Sequence, residues 1–163
     1  VTLCKLILIT LLTTIVFILE FALSGLPNVN LTFVLLAVIF QRVEIKYHIT
    51  FISLYIALQG IVWGFDLYLI PMFIAFIGYG IVTFFIKDME NMLQAFIIGG
   101  YAIIYSAMFI PINVYLIGVP LGAYIIADIP FTITLMINNF LTVLWLKPTL
   151  MSVYPSEPYE NAL

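Results

Sequence analysis

From Leu121 to Leu146 the chain carries a single acidic or basic side chain, Asp128, and this run is one of several like it. Segments of about 20 apolar residues, enough to cross a ~30 Å hydrocarbon core, follow one another with short breaks. A water-soluble chain needs a polar exterior, yet 65% of the 163 residues are hydrophobic and 8% are charged, against roughly 25% charged in an ordinary soluble domain. The sequence therefore predicts an all-α integral membrane protein, with one transmembrane domain over 1–163 and no soluble domain. The net charge of −3 says little about partners, because almost every charge falls in a break or a tail. Cys4, the one cysteine, cannot form an internal disulfide and reads as a small apolar residue.

The breaks divide the chain into six transmembrane helices. The first runs from about Lys5 to Leu26 and stops at "GLPNVN", where Gly25 and Pro27 act as breakers. A short second covers about Val29 to Gln41, and the charged "QRVEIK" follows it. The third spans about Tyr47 to Gly64, the fourth Leu67 to Ile86 and, after "KDMEN", the fifth Met92 to Ile112. The loop "PINVYLIGVPLG" leads to the sixth, about Leu121 to Leu146, and then to a tail of about 147–163. No internal repeat is visible.

The basic residues orient these spans. Lys5, Arg42, Lys46, Lys87 and Lys147 are all of the Lys and Arg, and with six spans every one falls on the same side. The positive-inside rule makes that side cytoplasmic, with both termini inside and the tail cytoplasmic. A signal peptide is the competing reading of the N-terminus, with "ALS" at 22–24 imitating a cleavage site. The apolar stretch exceeds the usual 7–15 residue signal core, and Glu20 interrupts it near the cut. Cleavage would also put the termini on opposite sides.

This orientation gives Asp128 a place. It lies about two turns below the outer surface, Glu20 lies at a similar depth in the first helix, and Asp66 sits at the outer end of the third. No Lys, Arg or His joins them there. A carboxylate facing lipid costs several kcal/mol, so these acids are expected to face the bundle interior or a water-filled cavity. At ~100° per residue, Tyr124, Asp128, Thr132 and Asn139 share one face of the sixth helix. Thr13, Glu20 and Ser24 align on the first, while Tyr55, Gln59 and Trp63 line up on the third and point toward Asp66. Tyr101, Tyr105 and Met108 form a stripe on the fifth, and Asn28 and Asn30 sit in the outer "PNVN" turn. Pro130 can bend the helix below Asp128 and free a carbonyl.

Each feature has a plainer explanation. Tyr and Trp anchor membrane edges, Thr and Asn bond neighbouring helices, and a buried Asp can be a structural cap. Two acids at one depth, with aligned amides and aromatics, favour a ligand site open to the outside. Other chemistry lacks residues. The only histidine, His48, is at the cytoplasmic end beside Lys46, so neither a metal cluster nor a Ser-His-Asp arrangement can be built with the outer acids. No Gly-rich phosphate loop is present, so the chain itself is not expected to hydrolyse ATP or act as an enzyme. A basic surface for nucleic acid is absent, and no cofactor is expected.

"LSGLPNVNLTF", "WGFDLYLIPM", "YSAMFIPIN" and "AYIIADIPFTITLMINNFLTVLWLKP" resemble the substrate-binding S components of energy-coupling factor (ECF) transporters. The closest likeness is to small members with a "PNV" first loop and an "ADIPF" sixth helix, and it covers nearly the whole chain. The resemblance implies an S-component-like six-helix bundle in the bacterial plasma membrane. Such a protein captures a vitamin or related micronutrient from outside. An ECF membrane coupling subunit and two ATPase subunits then drive its release inside. It also implies a site in the outer half, built from helix ends and the loops joining helices one to two, three to four and five to six. Glu20, Asn28, Asn30, Trp63, Asp66 and Asp128 fall there. One departure concerns docking: many members carry Ala-x-x-x-Ala on helix one, where this chain has Thr10-x-x-x-Thr14, and Ala123-x-x-x-Ala127 lies on the sixth helix instead.

The expected substrate-binding set is thus Glu20, Asn28, Asn30, Tyr55, Gln59, Trp63, Asp66, Tyr101, Tyr105, Asp128, Thr132 and Asn139. Carboxylates beside aromatic faces suit a planar, nitrogen-rich molecule, such as the thiazolium of thiamin or the amino edge of a pyrimidine, purine or deazapurine. The family's metal-ion members use N-terminal histidines, and none is present. Two other classes compete. A membrane scaffold like the rod-shape protein MreD has similar size and span count, but needs no outward cavity lined by acids. A stand-alone cation-coupled transporter would use Glu20 and Asp128 as carriers, but the chain shows no recognisable halves.

Overall fold

A computed structural model describes residues 3–23, 25 and 30–153. They form six α-helices: α1 (Leu3–Leu23), α2 (Thr32–Arg42), α3 (His48–Trp63), α4 (Leu69–Phe85), α5 (Asn91–Ala107) and α6 (Leu121–Val153). A 3-10 turn, Ile45–Tyr47, leads into α3, and a π-helical turn, Pro111–Leu116, follows α5. No strand occurs among the described residues.

The short α2 is the centre of the bundle. It packs against α1, α4 and α6, while α3 lies between α1 and α4, and α5 between α4 and α6. Thr32, Phe33, Val34, Leu36, Ala37, Val38, Ile39 and Phe40 are all buried, so α2 hides nearly its whole circumference. A helix that is apolar all round has no face to offer solvent and is buried for that reason. Aromatic rings lock it in place. Phe33 meets Tyr79 and Tyr105 edge-on at 5.1 and 5.3 Å, and Phe40 stacks on His48 at 4.4 Å. The Tyr79 hydroxyl donates to the Phe33 carbonyl at 2.6 Å, tying α4 to α2.

Four stretches are long and apolar enough to cross a membrane: Leu6–Leu23, Ile45–Trp63, Asn91–Leu116 and Leu121–Val153. The six-span expectation meets two shorter helices. α2 has 11 residues, which at 1.5 Å per residue is about 16 Å; α4 has 17, about 25 Å. α2 begins at Thr32, later than the expected Val29, which lies outside the described residues. Asn30 Oδ1 accepts from the Thr32 N–H at 2.8 Å and sets this start.

At its far end α6 outruns the expected stop at Leu146, and 147–153 is helix rather than tail. Pro148 cannot donate to the Leu144 carbonyl, but Asn91 Nδ2 reaches across from α5 and donates to it at 3.1 Å. The neighbouring helix supplies the bond that proline removes. α5 differs in the other direction, ending at Ala107 rather than Ile112. Pro111 has no N–H for the Ala107 carbonyl, and the chain widens into the π-helical turn, where Ile117 N donates to Ile112 O at 3.0 Å.

The surface is as apolar as the core, and a few polar side chains are buried within it. Leu11, Ile18, Ile61, Phe85, Ile126 and Trp145 are among many large apolar residues that are exposed, while Thr13, Thr83, Gln94, Ser106, Asn139 and Lys147 are buried. Helices of alternating direction collect Arg42, Lys46, Lys87 and Lys147 at one end of the bundle; Glu20, Asp66 and Asp128 lie toward the other.

Candidate functional site

Each of the two acids within the helices at the acidic end is held by side chains of a neighbouring helix. Glu20, in the last turn of α1, faces α3, where Tyr55 and Gln59 stand one turn apart on the same face. The Tyr55 hydroxyl donates to Glu20 Oε2, and Gln59 Nε2 donates to the same oxygen at 3.0 Å. Gln59 Nε2 also lies 3.0 Å from the Tyr55 hydroxyl, closing a triangle. Thr32, at the first turn of α2, lies beside the carboxylate. The unpaired N–H groups of that turn make a favourable setting for negative charge.

Asp128 is built similarly between α5 and α6. Its Oδ2 accepts from the Ser106 hydroxyl. Thr132 Oγ1 lies 2.9 Å from Asp128 Oδ2 and 2.9 Å from Ser106 Oγ. One hydroxyl proton serves one of these acceptors at a time. Among the described residues no hydrogen bond reaches Asp128 Oδ1. Asp128, Ser106 and Thr132 line a cleft of about 350 Å³ between α5 and α6, whose walls are otherwise largely isoleucine. Neither cluster meets a Lys or Arg, and no group of three metal-ligating side chains converges among the described residues.

The twelve expected site residues divide sharply. Glu20, Tyr55 and Gln59 form one cluster; Asp128 and Thr132 form the other, with Ser106. Tyr105 stands between them. Its ring packs on Phe33, Phe76 and Phe109, it is within electrostatic reach of Glu20, and the next residue, Ser106, holds Asp128. The remaining positions do other things. Tyr55 and Gln59 turn to Glu20 and not toward Asp66. Asp66 Oδ1 accepts from the Tyr68 N–H at 2.8 Å, an Asx turn that starts α4. Trp63 is 61% exposed and rests on Phe21 at 5.8 Å. Tyr101 spends its hydroxyl on the Ala75 carbonyl at 2.6 Å. Asn30 forms an Asx turn just before α2 and accepts from Asn138 Nδ2 at 2.6 Å through its carbonyl. Asn139 is fully buried, and neither of its side-chain polar atoms has a partner in the described residues. Asn28 lies outside the described residues.

Ser106 was not among the expected residues. Its signal was available, since a hydroxyl two residues before Met108 in an apolar helix needs an acceptor, but it sits off the Tyr101/Tyr105 stripe. The helix-one pair is also clarified. Thr10 Oγ1 donates to Leu6 O at 2.9 Å and Thr14 Oγ1 to Thr10 O at 2.8 Å, so both hydroxyls fold back onto their own helix. No family model matches the chain, and neither a curated protein nor a solved structure matches it.

Proposed function

We propose that this chain is a six-span protein of the bacterial plasma membrane. In this reading it is the substrate-capture subunit of an ECF-type importer, taking a small vitamin-like or nucleobase-like micronutrient from outside. The membrane reading is supported by the apolar exterior, since monomers in water rarely expose apolar patches beyond a few hundred Å². α2 and α4 cross with the help of their flanking turns. Grouping Arg42, Lys46, Lys87 and Lys147 at one end makes that end cytoplasmic.

One observation carries the capture reading. At the end away from the bases, two carboxylates are held by uncharged donors without a Lys or Arg, and Asp128 Oδ1 is left to accept among the described residues. Preset acceptors in apolar surroundings suit a ligand that brings N–H donors. Catalysis is not part of this function; separate ATPase subunits would supply the energy, with an ECF coupling subunit between. The back-folded hydroxyls of Thr10 and Thr14 leave a low surface on α1 for that subunit.

The test is purification of the full chain, alone and with candidate partners, followed by mass spectrometry of extracted small molecules. A co-purifying micronutrient and ATPase subunits are expected. Cell-shape proteins in place of both would favour a scaffold of the MreD kind. Single cysteines at Asp66 and Asn113 should react with an impermeant reagent on whole cells, and labelling at Glu44 and Glu90 instead would reverse the topology.

A further inference from the structure

The contact between α5 and α6 changes character along its length. At Gly99 the helices nearly touch: a Cβ there would lie 3.2 Å from the Met136 carbonyl oxygen and 3.3 Å from Phe140 Cβ. Phe96 and Phe140 pack at 4.9 Å beside it. One turn further toward the acidic end the helices part, and the space between them is the 350 Å³ cleft. The α6 stripe that is buried at Leu135, Asn139 and Val143 continues through Thr132 and Asp128 into this cleft. A face that elsewhere packs tightly here lines a groove.

The rim of the groove lies on the outside of the bundle. Ile103 is 57%, Ile129 47% and Ile133 46% exposed, and all three line the cleft. In a membrane such a rim faces lipid. Inside, the polar groups are few: the open Asp128 Oδ1, the two hydroxyls committed to Oδ2, and Tyr124. A nucleobase or pterin-like ring has several donors and acceptors around its edge, and most would be stranded against isoleucine. One ammonium on an apolar body brings three donors grouped at one point, where Asp128 Oδ1 and the nearby hydroxyl oxygens are the acceptors, and its charge complements the carboxylate.

We propose that the α5–α6 cleft binds an amphiphilic amine, an apolar body bearing one ammonium, which donates to Asp128 Oδ1 and enters sideways between Ile103 and Ile129. The proposal rests on the capture reading in assigning Asp128 to a ligand, and it narrows that ligand's class. Glu20 does not line this cleft.

The test uses the purified full-length protein and compares hexylammonium with hexanol, hexanoate and adenine in thermal-shift titrations. Hexylammonium alone should raise the melting temperature. Its apparent affinity should fall ten-fold or more in Asp128→Asn and in Ala107→Phe, which fills the cleft without touching the carboxylate. Equal shifts by hexanol, or an amine response untouched by Ala107→Phe, would overturn the site. If adenine or thiamin bound in an Asp128-dependent way and hexylammonium did not, the amine proposal would fail while the capture reading stood. Should Asp128→Asn not fold, Ala107→Phe and Ser106→Ala carry the test.

Discussion

The two ends of the bundle handle buried polarity in opposite ways. At the basic end, buried polar groups of several helices are joined in one network, in which Gln41 Oε1 alone is left without a partner among the described residues. Gln94, 2% exposed, donates through Nε2 to the Lys87 and Met89 carbonyls at 3.1 and 2.7 Å. Its Oε1 accepts from Gln41 Nε2 at 2.9 Å and from the Lys147 ammonium. Arg42 reaches the Met151 carbonyl at 3.3 Å, so α2, α5, α6 and the α4–α5 turn are joined there. At the acidic end the two carboxylates stand in separate clusters, and Asp128 Oδ1 has no partner among the described residues. A connected buried network stiffens the elements it joins, whereas an acceptor without a donor can take one from a ligand. On the proposed function, the contrast gives stability to one end and recognition to the other.

The largest effect should come from breaking the basic network. Gln94→Leu strands the Lys147 ammonium and two carbonyls and leaves the Gln41 amide only its bond to the Thr83 carbonyl; it should cost about 3–5 kcal/mol by thermal or denaturant unfolding of the purified protein. Replacing both, Gln94→Leu with Lys147→Leu, should recover part of that loss, because the uncompensated charge goes too. A loss unchanged in the double variant would mean that Gln94 acts through the carbonyls alone.

Next in size are the acids. Asp128→Asn and Glu20→Gln should each weaken ligand binding by roughly ten- to a hundred-fold, or about 1.5–3 kcal/mol, while most of the fold's stability survives. If either variant lost stability on the scale of Gln94→Leu with no binding defect of its own, the division between the ends would collapse. A smaller loss, about 1–2 kcal/mol, is expected for Asn91→Ala, which leaves the Leu144 carbonyl without the donor that Pro148 lacks. Pro148→Ala in that background restores an N–H and should return most of it. The smallest change belongs to Trp63→Phe. With the ring exposed and resting only on Phe21 among the aromatics, stability should move by less than about 0.5 kcal/mol. A ten-fold affinity loss there would place Trp63 against the ligand after all.

Much of the helical layout was legible because apolar runs of spanning length leave little alternative to helix. What was not legible depended on partners distant in sequence. Nothing near Pro148 announces that Asn91 will carry the helix past it. The i, i+4 pair Tyr55 and Gln59 was readable as one face, but its target was not. Whether that face meets Glu20 or Asp66 depends on how α3 is rotated against α1, a tertiary matter. Asp66 was misleading for a local reason: an acid two residues before an N–H at a helix start is already used by the turn. Ser106 shows the reverse case, a residue ordinary in sequence that matters because α6 brings Asp128 to it.

The burial of α2 bears on how the chain is made. On the membrane reading, a segment of 11 helical residues, about 16 Å long, is too short to partition into a bilayer as an independent span. Its walls are α1, α4 and α6, and α6 is the last to leave the ribosome. Until then α2 lacks one wall, although Phe33 and Phe40 already have their ring partners on α3, α4 and α5. The order of synthesis therefore makes the centre of the molecule the last part to be finished, and truncation before α6 should leave α2 as the segment most exposed to quality-control proteolysis.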